Sequence, residues 1–262
     1  MNVGWSFCIV TSESTSNHLL QIIKSIEEEF EDSGEKFEIN IIGISNLINQ
    51  EKRHNINFYH FNEKVFKFRF RNFKTFFKTL KIEDIFFKTG AISQKKNFLA
   101  HKSKYDKLCI MHDYVFISKG WLKGFQLFGN DWEVAMNKIL NNDGSRFRDW
   151  CNWDSPLVPV NDNYRASLLP YHLYIKEMYI SGTFFNIKKD FFKNNPLNEN
   201  LFWGEGEDVE WSKRVRKKTK FKMNTHSSVK LLKLKPLDQP PYCDSWKENQ
   251  RILLRELEKL DK

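Results

Sequence analysis

The N-terminal part of the chain has the sequence pattern of a strand, a helix and a second strand. Residues 5–10 and 37–44 are apolar runs that favour strands, and the second is dense in isoleucine. Between them, apolar residues recur at positions 19, 22, 23, 26 and 30, which is the stripe of an amphipathic helix that begins near Ser16. This order makes a βαβ unit, whose ligand sites lie at the carboxyl ends of the strands. The sequence therefore predicts an α/β fold.

The rest of the chain continues the alternation of strands and helices. A helix is predicted for residues 90–103, and strands are predicted for 107–111, 132–136 and 179–187. The stretch 141–177 is rich in Pro, Trp and Asn and is too long for a simple connector, so we interpret it as an inserted binding region. No repeat or low-complexity linker divides the 262 residues. We expect a single domain with a mixed, mostly parallel sheet flanked by helices.

Two segments admit more than one interpretation. Residues 64–88 alternate Phe with Lys and Arg, which favours a half-buried strand over a membrane-facing patch. Residues 245–262 form a charged helix with Ile and Leu on one side. We expect this C-terminal helix to pack against the domain, and a membrane or dimer contact is the alternative.

Composition narrows the classes of protein that fit. A formal charge of +9 suits nucleic acid, anionic lipid or a phosphorylated small molecule as a partner. The sequence lacks the zinc spacings, recognition helices and aromatic RNP strands of nucleic-acid modules, so no nucleic-acid partner is expected. It also lacks a membrane-spanning run and the layout of a secretion signal. The cysteines show no paired or metal-ligand spacing; they are Cys8, Cys109, Cys151 and Cys243. A cytoplasmic location is expected.

Polar residues interrupt the apolar runs at strand ends, where α/β domains bind ligands. Thr11-Ser12-Glu13 follows the first strand and suits either a ribose or base edge or the capping of a helix. A basic helical segment, 93–97, precedes the strand that ends at Asp113. Lysines there would neutralise phosphate, and Asp113 could ligate Mg²⁺ or Mn²⁺ on a diphosphate. Both interruptions therefore suit a nucleotide.

The third polar cluster, residues 203–211, is the most informative. Its carboxylates are concentrated in residues 205–210, ahead of a basic helix. One explanation of this pattern is simple charge placement, because the helix macrodipole stabilises anions at a helix N-terminus. Gly204 and Gly206 permit a tight turn that would deliver Glu207 or Asp208 into a cleft. An ionised carboxylate facing a hydroxyl is a competent general base, so this segment predicts a catalytic site.

Taken in order, these clusters resemble the GT-A glycosyltransferases, especially the family 2-type bacterial enzymes, over residues 7–234. The Gly-Glu-Gly-Glu-Asp segment 204–208 resembles the Gly-rich Glu-Asp motif of the β-galactosyltransferases. The resemblance implies a GT-A, Rossmann-like fold, with residues 1–115 as the nucleotide-sugar-binding half and 116–235 as the acceptor-binding half. It also implies a nucleotide-sugar donor, a glycan or lipid-linked glycan acceptor, and a divalent metal, Mn²⁺ or Mg²⁺.

The resemblance assigns roles on the donor side. Lys96-Asn97 takes the place of an Arg-Asn pair, and His112-Asp113-Tyr114 falls on the Asp-x-Asp metal motif, where only Asp113 matches an aspartate. Asp113 is thus the expected metal ligand. The second ligand would be either His112, which could instead contact the ribose, or His226 from the late part of the chain. The donor-binding residues that the resemblance implies are Thr11, Ser12, Glu13, Lys96, Asn97, His112, Asp113 and Gly182.

On the acceptor side, the Glu-Asp of the motif falls on Glu207-Asp208. Asp208 is the expected catalytic base, and Glu207 is expected to orient the acceptor. Tryptophan rings suit stacking on a sugar, although the residues of 141–177 could instead only hold that stretch together. The expected acceptor-binding residues are Trp150, Trp153, Trp203 and Gly204.

The predicted function is transfer of a hexose from a nucleotide sugar to a glycan hydroxyl. Inversion is expected because a base on the acceptor side implies a single displacement. The basic charge suits work at an anionic inner membrane face, in surface polysaccharide biosynthesis. Two alternatives remain. The first is a non-catalytic nucleotide-sugar or glycan-binding module, which the incomplete Asp-x-Asp motif favours. The second is a nucleotidyltransferase, which the glycine-free loop after Val10 disfavours.

Overall fold

The computed structural model describes residues 2–12, 18–43, 54–61, 91–158, 166–235, 237 and 245–260. The predicted strand within 64–88 lies outside the described residues, as do Glu13 and Cys243. The described chain forms a main sheet, a small second sheet and flanking helices.

The main sheet has the strand order β3-β2-β1-β4-β10-β6-β11-β5, and the small sheet has the order β8-β7-β9. The strands of the main sheet are β1 (Asn2–Val10), β2 (Phe37–Gly43), β3 (Ile56–His60), β4 (Tyr105–His112), β5 (Val115–Ile117), β6 (Val134–Leu140), β10 (Phe184–Lys188) and β11 (Lys222–Leu231). Those of the small sheet are β7 (Cys151–Asn152), β8 (Ser167–Leu168) and β9 (Met178–Tyr179). The helices are α1 (Leu19–Phe30), α2 (Ile92–Lys102), α3 (Trp121–Phe128), α4 (Lys189–Asn194), α5 (Glu207–Val215) and α6 (Ser245–Leu260).

The predicted βαβ unit is present. Strand β1 pairs in parallel with β2 on one side and with β4 on the other. Its residues from Gly4 to Val10 are buried, as expected for a parallel strand covered on both faces. Helix α1 buries the apolar stripe that the sequence predicted, including Leu19, Ile22 and Ile26. The α/β class therefore follows from the pattern of the first strands and their helix.

One antiparallel strand, β10, brings residues from several strands to one edge of the main sheet. Strand β10 lies between β4 and β6 and runs antiparallel to both, with Phe184 opposite Met111. The start of β10 is therefore at the same edge of the sheet as the carboxyl ends of β1 and β4. Residues that follow β1 and β4 and residues that precede β10 meet at this edge.

The strand predicted for residues 179–187 is divided in the structure. Met178–Tyr179 belongs to the small sheet and Phe184–Lys188 to the main sheet. The backbone between them bonds to helix α5, because Ile180 N donates to Ser212 Oγ (3.0 Å) and Gly182 N donates to Asp208 Oδ2 (2.8 Å). These bonds replace a strand ladder, so the chain changes sheets at the polar Ser181-Gly182-Thr183 turn.

The C-terminal helix α6 packs against the small sheet. Trp246 forms a cluster with Cys151 and Tyr179, and Leu253 is fully buried in the main core. The apolar side of the helix is therefore covered at Trp246 and Leu253, whereas Leu260 at its end is 70% exposed. Among the described helices, none combines the length and apolarity needed to cross a membrane.

Candidate active site

Asp113 lies at the carboxyl end of β4 and is tied to the end of β1. Its carboxylate is 2% exposed. The Oδ2 atom accepts hydrogen bonds from Thr11 Oγ1 (2.7 Å) and from Ser12 N (3.0 Å). Lys95 Nζ donates to the carbonyl of Thr11 (3.3 Å). Three predicted donor-binding residues, Thr11, Ser12 and Asp113, are thus brought together by the parallel pairing of β1 and β4.

The backbone of Gly182 contacts a second group of predicted residues, Lys96, Glu207 and Asp208. Its N–H donates to Asp208 Oδ2 (2.8 Å), and its carbonyl accepts from Lys96 Nζ (2.8 Å). A Cβ atom at Gly182 would lie 2.9 Å from Asp208 Oδ2 and 3.0 Å from Glu207 Oε1. Only glycine allows both carboxylates to approach the backbone this closely.

Lys96 and Glu207 form a buried ion pair between helices α2 and α5. Lys96 Nζ lies 3.0 Å from Glu207 Oε1, and the side chains are 1% and 9% exposed. Glu207 begins α5 directly after Gly206, whose φ of +72° is a left-handed conformation that favours glycine. Desolvation makes such a pair costly to break from either side. The pair therefore fixes the start of α5 against α2.

The buried carboxylate of Asp208 has a raised pKa. Burial raises its pKa, and the neighbouring charge of Glu207 raises the pKa further. The charges of Arg148 and Lys96 and the hydrogen bond from Gly182 oppose this shift. A carboxylate whose pKa is raised accepts a proton more readily than an ordinary aspartate near neutral pH, which suits general base catalysis.

His112 connects the Asp113 end of the edge to Gly182. Its backbone N–H donates to the carbonyl of Thr183 (3.1 Å), and its ring is hydrogen-bonded to the backbone of Gly182. Burial holds the pKa of His112 well below its ordinary value, and the nearby cations Lys96, Lys235 and Arg148 lower the pKa further. The imidazole is therefore neutral at physiological pH and can both donate and accept a hydrogen bond.

Two basic residues at this edge, Lys233 and Lys235, were not predicted as site residues from the sequence. Arg148 follows β6, and Lys233 and Lys235 follow β11 directly. Arg148 and Lys235 lie close enough to His112 to lower its pKa. The signal in the sequence was the position of the two lysines just after an apolar strand, because polar residues at strand ends mark ligand sites in this fold class.

Several predicted residues lie apart from this group. Asn97 bonds to the carbonyl of Leu197 (2.9 Å) and to Glu199 (3.1 Å), not to a group at the sheet edge. Trp150 is 2% exposed and donates to the carbonyl of Leu173 (2.7 Å), so its ring belongs to the core rather than to an open sugar platform.

The other predicted tryptophans differ in exposure. The ring of Trp153 packs edge-on against Tyr179, with centroids 5.6 Å apart. Trp203 is 72% exposed and precedes Gly204, whose φ is +81°. The turn that carries it is closed by a hydrogen bond from Glu205 N to the carbonyl of Phe202 (3.0 Å). Trp203 is thus the predicted acceptor residue that presents its ring to solvent.

Of the two predicted metal ligands, Asp113 and His226, the described structure places Asp113 at the end of β4 and His226 within β11. His226 is exposed and lies where the pairing of β11 with β6 shifts register, between Asn224 and Ser228. It stands five residues before Leu231, the end of β11, so the late histidine expected beside Asp113 is set back from the edge. Among the described residues, no group of three or more His, Cys, Asp or Glu side chains could hold a metal ion. A metal at Asp113 therefore stays a prediction.

Comparisons with known proteins bear on the fold. No family model matches the sequence, and no curated protein matches it. The structure is similar to S. aureus TarS 1-349, with a TM-score of 0.54 and 12% sequence identity over 87% of this chain and 60% of that one. TarS 1-349 in complex with UDP-GlcNAc gives a TM-score of 0.54 and 13% identity over 89% and 60%.

The catalytic domain of Drosophila beta1,4galactosyltransferase 7 in complex with xylobiose gives a TM-score of only 0.46 at 12% identity, over 85% of this chain and 65% of that one. This chain spans about 60% of the length of TarS 1-349. At this identity the similarity to TarS shows the fold, and it confirms the predicted GT-A type of α/β domain with a mostly parallel sheet.

Proposed function

We propose that this chain is a glycosyltransferase that moves a sugar from a nucleotide-sugar donor to a hydroxyl of a glycan. The observation that carries the proposal is the convergence of Asp113 and Asp208 on one sheet edge, although they are far apart in the sequence. His112 and Gly182 bridge them. The presence of UDP-GlcNAc in a complex of TarS, which shares the fold, supports a nucleotide sugar as the donor.

The proposed reaction is a single displacement. The hydroxyl oxygen of the acceptor attacks the anomeric carbon of the donor, and a new carbon–oxygen bond forms. The proton of that hydroxyl passes to the carboxylate of Asp208. The bond between the anomeric carbon and the diphosphate oxygen breaks, and its electron pair leaves with the nucleoside diphosphate. Attack from the face opposite the diphosphate inverts the anomeric centre.

Each side of the edge has a proposed role. Thr11, Ser12 and Asp113 follow the parallel strands β1 and β4, where nucleotides bind in α/β domains, so we assign them to the donor. Trp203 presents an exposed ring four residues before Glu207, so we assign it to the acceptor, because an aromatic face packs on a sugar ring. Glu207 orients the acceptor through the position that Lys96 gives it.

The acceptor and location are part of the same proposal. A lipid-linked glycan in surface polysaccharide biosynthesis, at an anionic cytoplasmic membrane face, is supported by the formal charge of +9. We expect the protein to sediment with liposomes that contain anionic lipid more than with neutral ones. Equal binding to both kinds of liposome would contradict a membrane role and leave the transferase activity in place.

A thermal-shift panel tests the donor class. UDP, GDP, CMP and dTDP are added with Mn²⁺ and with chelator, and a ligand at about 100 times its dissociation constant adds roughly 2.7 kcal/mol to the free energy of unfolding. The midpoint then rises by about 5–10 °C for one nucleotide. If none of the nucleotides moves the midpoint under either condition, the donor assignment is wrong.

The catalytic role is tested with Asp208→Asn. Release of nucleoside diphosphate from the nucleotide sugar that binds best is measured with a panel of glycan acceptors. We expect turnover to fall by 100-fold or more, as about 10²–10⁴ is typical of a lost general base. Glu210→Gln is the matched control, because Glu210 is in the same helix but pairs with Arg214 at the surface. Donor binding without turnover in the wild type would support a binding module instead.

A further inference from the structure

A cluster of basic side chains, here called the basic cluster, lies at the functional edge and consists of Arg148, Lys233 and Lys235. The rings of Tyr114 and Phe147 pack against the charged groups of this cluster. Lys235 Nζ lies 4.3 Å from the ring centroid of Tyr114 and 5.5 Å from that of Phe147. Lys233 Nζ lies 5.0 Å from the Tyr114 centroid, and the guanidinium carbon of Arg148 lies 5.0 Å from the Phe147 centroid. The three cations therefore make cation–π contacts with the same pair of aromatic rings.

The backbone that carries Lys235 is fixed. Lys235 N donates to Asn141 Oδ1 (2.9 Å), and Asn141 Nδ2 donates to the carbonyl of Lys235 (3.2 Å). Leu232 N donates to the carbonyl of Tyr114 (2.8 Å). At the other end of the side chain, Lys235 Nζ donates to the hydroxyl of Tyr114 (2.6 Å). The amine is thus held at a defined position rather than extended into solvent.

The two lysines of the basic cluster have no acidic counterpart among the described residues. Neither Lys233 nor Lys235 makes an ion pair there, whereas the buried Lys96 is neutralised by Glu207. Burial, Arg148 and Lys233 lower the pKa of Lys235 to about 7. Like charges held together in a partly buried place destabilise one another, so the two lysines are complementary to an anion.

The basic cluster also lies beside the proposed reaction centre. Arg148 and Lys235 act electrostatically on His112, and Arg148 acts on Asp208. An anion bound there would lie near His112, which ends β4. A nucleotide sugar at the carboxyl edge of the sheet would place its diphosphate in this region.

We propose that the basic cluster binds the diphosphate of the nucleotide-sugar donor and supplies the charge stabilisation that the GT-A resemblance assigns to a divalent metal. The inference rests on the proposed function, because that function makes the anion a donor diphosphate. As the anomeric bond breaks, its electron pair stays on the diphosphate oxygen, and fixed cations beside that oxygen stabilise the developing charge. The His112-Asp113-Tyr114 sequence, with one aspartate, accords with this assignment.

Calorimetric titration with inorganic pyrophosphate in chelator tests the basic cluster directly. We expect binding without metal, and a loss of affinity of about tenfold or more in Lys235→Gln, because a charge-assisted hydrogen bond is removed. Lys230→Gln is the matched control: Lys230 is exposed on β11 and carries the same charge, so its removal should leave the affinity within about twofold. Tyr114→Phe, which removes only the hydroxyl partner of Lys235, is a second variant with an expected smaller loss.

Two further outcomes separate this inference from the proposed function. If pyrophosphate and the donor bind only with Mn²⁺, and Asp113→Ala abolishes binding while Lys235→Gln does not, the inference is overturned and the transferase proposal stands. If pyrophosphate binds through the basic cluster but no nucleoside diphosphate competes with it, the cluster is an anion site, and the donor assignment is overturned together with the proposed function.

Discussion

Removing the charge of Lys96 should destabilise the protein strongly. Its amine is buried and makes an ion pair with Glu207 (3.0 Å) and a hydrogen bond to the carbonyl of Gly182 (2.8 Å). In Lys96→Met, Glu207 would be left as an uncompensated buried charge. Breaking a buried ion pair from one side costs about 3–5 kcal/mol. At about 2–4 °C per kcal/mol for a domain of this size, the unfolding midpoint should fall by roughly 6–20 °C.

The assay is a double-mutant cycle in urea at one fixed pH. The free energy of unfolding is measured for Lys96→Met, Glu207→Gln and the double variant, and the double variant should recover at least about 2 kcal/mol because neither charge of the pair remains. Lys24→Met is the surface control: Lys24 pairs with Glu28 at 3.5 Å, but these side chains are 76% and 59% exposed. Its loss should cost under about 1 kcal/mol.

The reasoning fails if Lys96→Met costs no more than the Lys24 control. It also fails if the two single substitutions add without coupling, because additivity would mean that the charges do not interact in the folded protein. In either case α2 and α5 would be held together by packing alone, and the positions of Glu207 and Asp208 would need another explanation.

Four further predictions follow from the same contacts. Gly182→Ala should lower kcat by about 100-fold, since its Cβ would displace both carboxylates; unchanged kinetics would contradict this. Because the pKa of Asp208 is raised, activity should fall as pH drops through that raised value, and Glu207→Gln should move the acid limb of the kcat/KM profile to lower pH. Asp149→Asn, which weakens bonds from Arg146 (2.6 Å) and from the hydroxyl of Tyr171 (2.8 Å), should cost roughly 1.5–3 kcal/mol in urea denaturation. Trp203→Ala should raise the KM for the acceptor and leave donor affinity unchanged. If acceptor and donor binding weaken equally, Trp203 does not belong to the acceptor site.

Local pattern in the sequence determined the fold class and the first elements of the sheet. The apolar spacing of α1 and the isoleucine-rich β2 are short-range signals, since helix and strand periodicity are properties of neighbouring residues. The same reasoning placed Asp113 at a strand end and Glu207-Asp208 at the start of a helix. The sequence also indicated glycine at 182 and 206 as special, and the structure shows a close approach at one and a left-handed backbone at the other.

Tertiary structure alone decided which of these side chains share a site. Asn97 follows Lys96 in the sequence, yet on helix α2 the two point to different partners, because successive residues of a helix face different directions. Trp150 is buried in the core, where its indole N–H donates to the carbonyl of Leu173. Arg148 is distant in the sequence from Lys233 and Lys235, and the three meet only because β6, β11 and β5 are neighbours in the sheet. Sequence periodicity carries no information on such long-range pairing, so the basic cluster could be recognised only after the strands were in place.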